Sequence, residues 1–266
     1  MKRTNSKQSD QNIIPGLDPL AKYTARLSSR SALYTDVCLF LENIEEPLSS
    51  GGFRTLVVEN NKLLRSSISA RKKIWEELKK RYILERDNQL FSAFWEEWVR
   101  CVPEQEKALT VYVSFALNDK LVTDLSIEWL YPRLRITPSD LSVDDVKHFI
   151  TVAKTNHPES ANWTPRSFHN VAKHYLSSLR DFGLAQGKYN KKTLRPALYG
   201  APVRLLIRAL RLVNTPELNI TNSRIFRLLA IDEHEVIHTF NELHSRGELF
   251  FKMQADVVEL DIEERQ

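Results

Sequence analysis

Apolar residues recur at three- and four-residue spacing over most of this chain, the period of a helix with one buried face. The spacing predicts a helix over residues 31–43, with Leu33, Val37, Phe40, Leu41 and Ile44 inward. A turn at Pro47–Gly52 leads to a short helix over 53–60. A third helix, over about 70–84, is capped by Ser69 and buries Ile74, Trp75, Leu78 and Tyr82, leaving Arg71, Lys72 and Lys73 outside. Helices over 88–102, 104–117 and 121–134 follow, dense in Leu, Phe and Trp. Aromatics at helical spacing belong to a core rather than to a platform for stacked bases. Residues 22–135 therefore read as one helical bundle, in which the 53–60 and 70–84 helices keep helix-turn-helix order.

Pro132, Pro138 and Ser139 mark a boundary, and Ser142, Asp144 and Asp145 open a new helix with acid in its first turn, as the helix dipole favours. The most organised stretch comes next, Trp163 to Arg195. Thr164 is placed to cap a helix and Pro165 occupies its first position, where a missing N–H costs nothing. Phe168, Val171, Ala172, Tyr175, Leu179 and Phe182 form one face, and Gly183 stops the helix. The opposite face carries Arg166, His169, Asn170, Lys173, His174, Ser177 and Arg180. A basic, glycine-containing hairpin follows, with Lys188, Lys191 and Lys192 around Tyr189 and Asn190. A helix that is apolar inside and basic outside, followed by a basic hairpin, has the pattern of a recognition helix and wing.

The order then repeats. A helix over 201–213 places Arg204, Arg208 and Arg211 outward, two more helices fall at 223–230 and 232–246, and alternating residues over 249–253 and 257–262 predict a hairpin. The expected fold is mainly α: a helical bundle with helix-turn-helix or winged-helix-like modules and short β-hairpin wings. Its divisions are a flexible tail (1–21), the bundle (22–135), a basic winged-helix-like module (140–200) and an acidic one (201–266).

Charge sharpens the contrast between the two repeats. Ten basic residues from Arg166 to Arg211 face one acid, Asp181, a local +9 in a chain of formal net charge +4. Such a field attracts phosphate without sequence preference. Residues 217–266 hold eleven acids against five basic residues, which suits packing or protein contact rather than DNA.

Candidate chemistry is sparse. There is no phosphate-binding glycine loop, no G-x-S-x-G and no C-x-x-C, so no catalytic residue or cofactor is expected. Cys38 and Cys101 lack neighbours at metal-ligand spacing and read as reduced, buried thiols of a cytoplasmic protein. No apolar run is long enough to span a membrane, and no secretion signal opens the chain. One motif does stand out: His234-Glu235-Val236-Ile237-His238 matches H-E-x-x-H, with His244 at the position of a third zinc ligand. Asn241 replaces the turn-forming glycine, so a continuing helix carries His244 away from the other two. The motif reads as part of an ordinary core-facing helix, with no metal.

Several segments together resemble the BrxA family of BREX bacteriophage-exclusion systems. They are Tyr23-Thr-Ala-Arg-Leu, the helix Ala32–Leu41, Asn60-Asn-Lys-Leu-Leu, Ser69-Ala-Arg-Lys-Lys-Ile-Trp-Glu-Glu-Leu-Lys-Lys-Arg, and Leu176-Ser-Ser-Leu-Arg-Asp-Phe-Gly-Leu184. The resemblance covers about residues 22–200. It implies a helical, non-enzymatic component of a phage-defence operon whose helix-turn-helix elements bind double-stranded DNA. A likeness drawn between the family and an antitermination RNA-binding fold keeps RNA open.

The expected partner is duplex DNA, with other BREX proteins as further candidates. Arg166, Lys173 and Arg180 are expected along the groove-facing helix, with His169, Asn170 and His174 placed for base edges or phosphates. Lys188, Lys191 and Lys192 grip the backbone from the wing, and Arg71, Lys72 and Lys73 form a second patch. The rival reading is a protein-interaction adaptor whose contact with DNA is incidental.

Overall fold

The computed structural model describes residues 13–136 and 138–262 of the chain, which is mainly helical with small antiparallel sheets. In chain order the first helices are α1 (Tyr34–Glu42), α2 (Ser50–Arg54), α3 (Ile68–Arg81), α4 (Gln89–Arg100) and α5 (Glu104–Leu117). The second half of the expected turn at Pro47–Gly52 is instead helix: Ser49 caps α2 by accepting from the Gly52 N–H, and a π-helical turn, Thr55–Glu59, extends it. The cap of α3 is Ser67 rather than Ser69, its hydroxyl accepting from the Ala70 N–H at 3.2 Å. Two serines two residues apart offer equivalent caps, and periodicity does not choose between them.

The expectation of a loose tail over 1–21 changes within the described residues, 1–12 lying outside them. Ile14 is buried, and the Gly16 N–H donates to the Leu117 carbonyl at 2.8 Å. A turn of 3-10 helix, Arg26–Ser28, then packs along a later helix.

α6 (Lys120–Asp124), a π-helical stretch (Leu125–Leu130) and α7 (Tyr131–Arg135) form one long helical run. After it come β1 (Asp140–Leu141), α8 (Val143–Ala153), a 3-10 turn (Pro158–Asn162), α9 (Pro165–Asp181), β2 (Ala185–Gln186) and β3 (Lys191–Thr193). The three strands form one sheet in the order β1-β3-β2, all antiparallel, with Asp140 opposite Lys192 and Ala185 opposite Thr193. β1 was not legible as a strand, because two residues carry no alternation. Thr193 fixes the base of the sheet: it is fully buried, its N–H donates to the Ser139 carbonyl at 2.9 Å, and its hydroxyl accepts from the Ser139 N–H at 2.8 Å.

The last part is α10 (Gly200–Leu212), α11 (Glu217–Ile220), α12 (Val236–Ser245) and the hairpin β4 (Phe250–Gln254) and β5 (Val257–Asp261). The segments 224–229 and 233–235, expected as α-helix, are 3-10 turns. Asp232 and Glu235 form a reciprocal capping box at the start of the second. The buried apolar residues, from Ile14 to Ile262, make one contiguous core that runs through all of these segments.

Polar groups join its parts. Fully buried Glu97 on α4 accepts from Arg204 Nε at 2.8 Å and from Arg208 Nε at 3.1 Å, both on α10. Arg204 and Arg208 were expected on an outer face; Arg204 is instead 8 % exposed and faces α4. Arg211 likewise pairs with Glu217 at 2.9 Å. A buried carboxylate between two guanidiniums satisfies charges that would otherwise be costly to bury.

Candidate nucleic-acid interface

The centre of the candidate interface is α9. Its start is fixed by Thr164, whose hydroxyl accepts from the Ser167 N–H at 3.1 Å. Its end is fixed by Gly183 at φ +75°, which lets the Leu184 N–H reach back to the Leu179 carbonyl at 2.8 Å. Phe168, Val171, Ala172, Tyr175, Leu176 and Leu179 are buried, and each large apolar side chain so buried stabilises the helix by about 1.5–3 kcal/mol. That packing leaves Arg166, His169, Lys173 and Arg180 exposed. They are spaced by three, four and seven residues, so they lie along one line of the helix, roughly 21 Å from first to last.

Asn170 and His174 are half-buried on the flank of that line. His174 Nδ1 is 2.6 Å from the Leu27 carbonyl, which assigns its ring to holding the N-terminal segment against α9. One step along, the Ala32 N–H donates to Ser178 Oγ at 2.8 Å. Burial, together with Lys173, Arg81 and Arg30, holds the His174 imidazole below the usual histidine range.

The β2–β3 hairpin, expected as a wing, brings further cations to the same place. Lys188 and Lys192 are exposed and Lys191 half-buried. Burial, with Arg180 and Lys173 close by, lowers the Lys191 ammonium from its usual range. Lys173, Arg180 and Lys191 thus converge where the helix meets the wing. A groove of about 590 Å³ runs there, lined by Lys173 and Leu176 of α9, by Tyr189, Asn190, Lys191 and Lys192 of the wing, and by Asp140 to Val143. Two acids temper the field: Asp181 pairs with Arg180 at 2.8 Å, and Asp140 lies 3.8 Å from Lys192. Arg166, Lys173, Lys188 and Lys191 have no carboxylate at ion-pair distance among the described residues.

The patch on α3 is a separate surface with a different character. Lys72 and Lys73 are exposed, but Arg71 donates to the Val58 carbonyl at 3.3 Å and its Nε is buried. Arg71 is therefore partly used in holding the preceding π-helical turn. Arg30 was missed in the sequence: exposed, it stands near His174 because buried Arg81 donates to the carbonyls of Arg30 (2.7 Å) and Ser31 (2.6 Å). No local pattern signals this, since the arginine reaches α9 only through a tertiary contact. Tyr23 ties the same segment down, its ring stacked on His157 at 3.5 Å and its hydroxyl donating to Asp124 at 2.9 Å.

The charge contrast between the two repeats is smaller in three dimensions. Arg204, Arg208 and Arg211 belong to the ion pairs already described. Of the C-terminal acids, Glu233 pairs with Arg227 at 2.8 Å, Glu235 with Arg135 at 2.6 Å, and Glu242 with Arg246. Glu235 of the H-E-x-x-H sequence also accepts from the Asp232 N–H at 2.9 Å, so its Oε2 caps the 233–235 turn while both its oxygens accept from Arg135. His244 Nδ1 turns to the backbone of the hairpin, 3.3 Å from the Leu249 carbonyl. Among the described residues no group of three His, Cys, Asp or Glu side chains is disposed to hold a metal. Among them, too, no helix is long and apolar enough to cross a membrane.

This arrangement defines a class first: a helical protein with a cationic helix-and-hairpin face and a fold already seen elsewhere. The crystal structure of an uncharacterized protein from Magnetospirillum magneticum is similar, with a TM-score of 0.58 at 14 % identity, over 78 % of this chain and 98 % of that one. No curated protein matches. The BrxA family model matches residues 21–210, and the chain belongs to that family. Membership implies a component of a BREX phage-defence system, and the family is generally considered non-catalytic.

Proposed function

We propose that this protein is a non-enzymatic, double-stranded DNA-binding component of its BREX system, gripping duplex DNA mainly through phosphate. The observation that carries this reading is the groove between α9 and the wing, where Lys173, Lys191 and Lys192 surround a space open to solvent. The arginine and lysine line along α9 supplies a straight cationic edge beside it. The order β1, α8, α9, β2, β3, with β3 between the other strands, supports a winged-helix module in which α9 enters a groove and the wing flanks it. B-form DNA has a major groove of about 12 Å that admits a helix. The deep, narrow major groove of duplex RNA does not, which favours DNA over RNA. No side chain of α9 is assigned to a particular base, so affinity is expected to depend only weakly on sequence.

The test is fluorescence anisotropy with two unrelated duplexes over a salt series. Affinities within a few-fold of each other that weaken steeply with salt are expected. Absence of binding at low salt overturns the reading and leaves the adaptor role in front.

A further inference from the structure

Resting on that reading, we propose that Tyr189, at the tip of the wing, is a minor-groove probe that packs against or partly between base pairs beside the phosphate strand held in the groove.

The argument starts with the turn. Gly187 adopts φ +94°, and a Cβ there would lie 2.2 Å from the Asn190 carbonyl oxygen, so the loop between β2 and β3 is as tight as a glycine allows. That tightness, and the buried Thr193 at the base, present the tip as a fixed knuckle. On it Tyr189 is 85 % exposed, with the Lys188 ammonium over its ring at 5.3 Å. The same tyrosine lines the groove shared with Lys173, Leu176, Lys191 and Lys192. A duplex has a single phosphate strand between its major and minor grooves. When that strand lies among the three lysines, one groove opens on the α9 side and the other on the wing-tip side. A helix fills the wider groove, so the tip faces the narrower one. Its ring then offers an apolar face to a base step, and its hydroxyl a donor to the N3 and O2 acceptors of A·T pairs. Lys188, Lys191 and Lys192 neutralise the phosphates on either side.

The ligand class follows: duplex DNA whose base steps open easily, such as pyrimidine–purine steps in A·T-rich sequence, is favoured modestly over stiff G·C-rich duplex of equal length.

Wild-type protein, Tyr189→Ala and Tyr189→Phe are titrated with an A·T-rich duplex carrying 2-aminopurine at a central TA step and with a G·C-rich duplex of equal length, over a salt series. Tyr189→Ala is expected to weaken binding about tenfold at every salt concentration with an unchanged salt slope, because stacking releases no counterions. Tyr189→Phe retains most of the affinity and loses the A·T preference. 2-Aminopurine fluorescence rises with wild type and stays flat with Tyr189→Ala. Wild-type binding that Tyr189→Ala leaves unchanged overturns this inference while the DNA reading stands. A Tyr189→Ala loss that vanishes at high salt also overturns it, since the residue then acts only by placing the lysines. Absence of wild-type binding removes both. The residue is exposed, so unchanged thermal melting confirms that each variant is folded.

Discussion

Reversing two of the converging charges, Lys173→Glu with Lys191→Glu, has an effect whose size can be worked from the groove. Six cations face it or flank it: Arg166, Lys173, Arg180, Lys188, Lys191 and Lys192. Two of these have acidic neighbours, Arg180 with Asp181 at 2.8 Å and Lys192 with Asp140 at 3.8 Å. The number of phosphates neutralised therefore lies between four and six. Each contributes about −0.9 to the slope of log affinity against log salt, so the wild-type slope is roughly −3.6 to −5.4. Between 50 and 200 mM salt, affinity then falls by roughly 150- to 2,000-fold. The double reversal removes two contacts and sets two carboxylates against the strand. The slope shrinks by about two, and affinity at 50 mM falls roughly 100-fold or more. Anisotropy over the salt series measures both. A wild-type slope shallower than about −2, or a variant with the wild-type slope, refutes the phosphate account. Lys173 is exposed and Lys191 only half-buried, so a melting temperature close to wild type separates the charge effect from unfolding.

Three further outcomes test the frame behind this face. Glu97→Ala removes the buried carboxylate shared by Arg204 and Arg208, which keep Glu248 at 3.6 Å and Glu96 at 2.9 Å, so it is expected to cost about 2–3 kcal/mol in urea unfolding, less than a fully stranded buried charge; a cost under about 1 kcal/mol contradicts the assigned network. His174 is held below the usual histidine range by burial and by the cations around it, so the unfolded chain binds a proton there that the native state does not. Native stability is therefore complete above about pH 6.5 and declines as pH falls through that value, and His174→Gln should show a shallower decline between pH 7 and 5 than wild type. Gly187→Val forces a side chain at φ +94° into the Asn190 carbonyl. It should weaken duplex binding several-fold with little change in melting temperature, because the wing tip is exposed; unchanged binding would mean that the shape of the wing is irrelevant.

Elements carried by long periodicity were readable in the sequence: α4, α5, α9 and α10 fall within a few residues of expectation, as does the last hairpin. The cap of α9 was readable too, because Thr164 and Pro165 combine two local signals. Short features were not. β1 is two residues long, and it becomes a strand only because Lys191 and Lys192 arrive from 50 residues away to pair with it. Gly51 and Gly52 argue for a turn locally, yet the burial of Phe53, Val57 and Val58 carries helix through them. The charge count erred for a similar reason. Arg204, Arg208 and Arg211 are indistinguishable from surface cations until Glu97 and Glu217 are placed beside them. Arg30 was invisible because its position near α9 depends on Arg81, fifty-one residues later. In the candidate site, the line along α9 followed from spacing alone. Asp181 was visible as the one opposing acid, whereas Asp140, which faces Lys192 across the sheet, needed the fold.

The central claim is that duplex DNA lies on α9 and the wing. Backbone hydrogen exchange with and without a duplex at low salt tests it most directly, because it reports location as well as binding. The account predicts added protection over residues 165–193, including the wing tip, with α12 and the β4–β5 hairpin unchanged. Binding that instead protects residues 236–261 and leaves 165–193 as they were would contradict it.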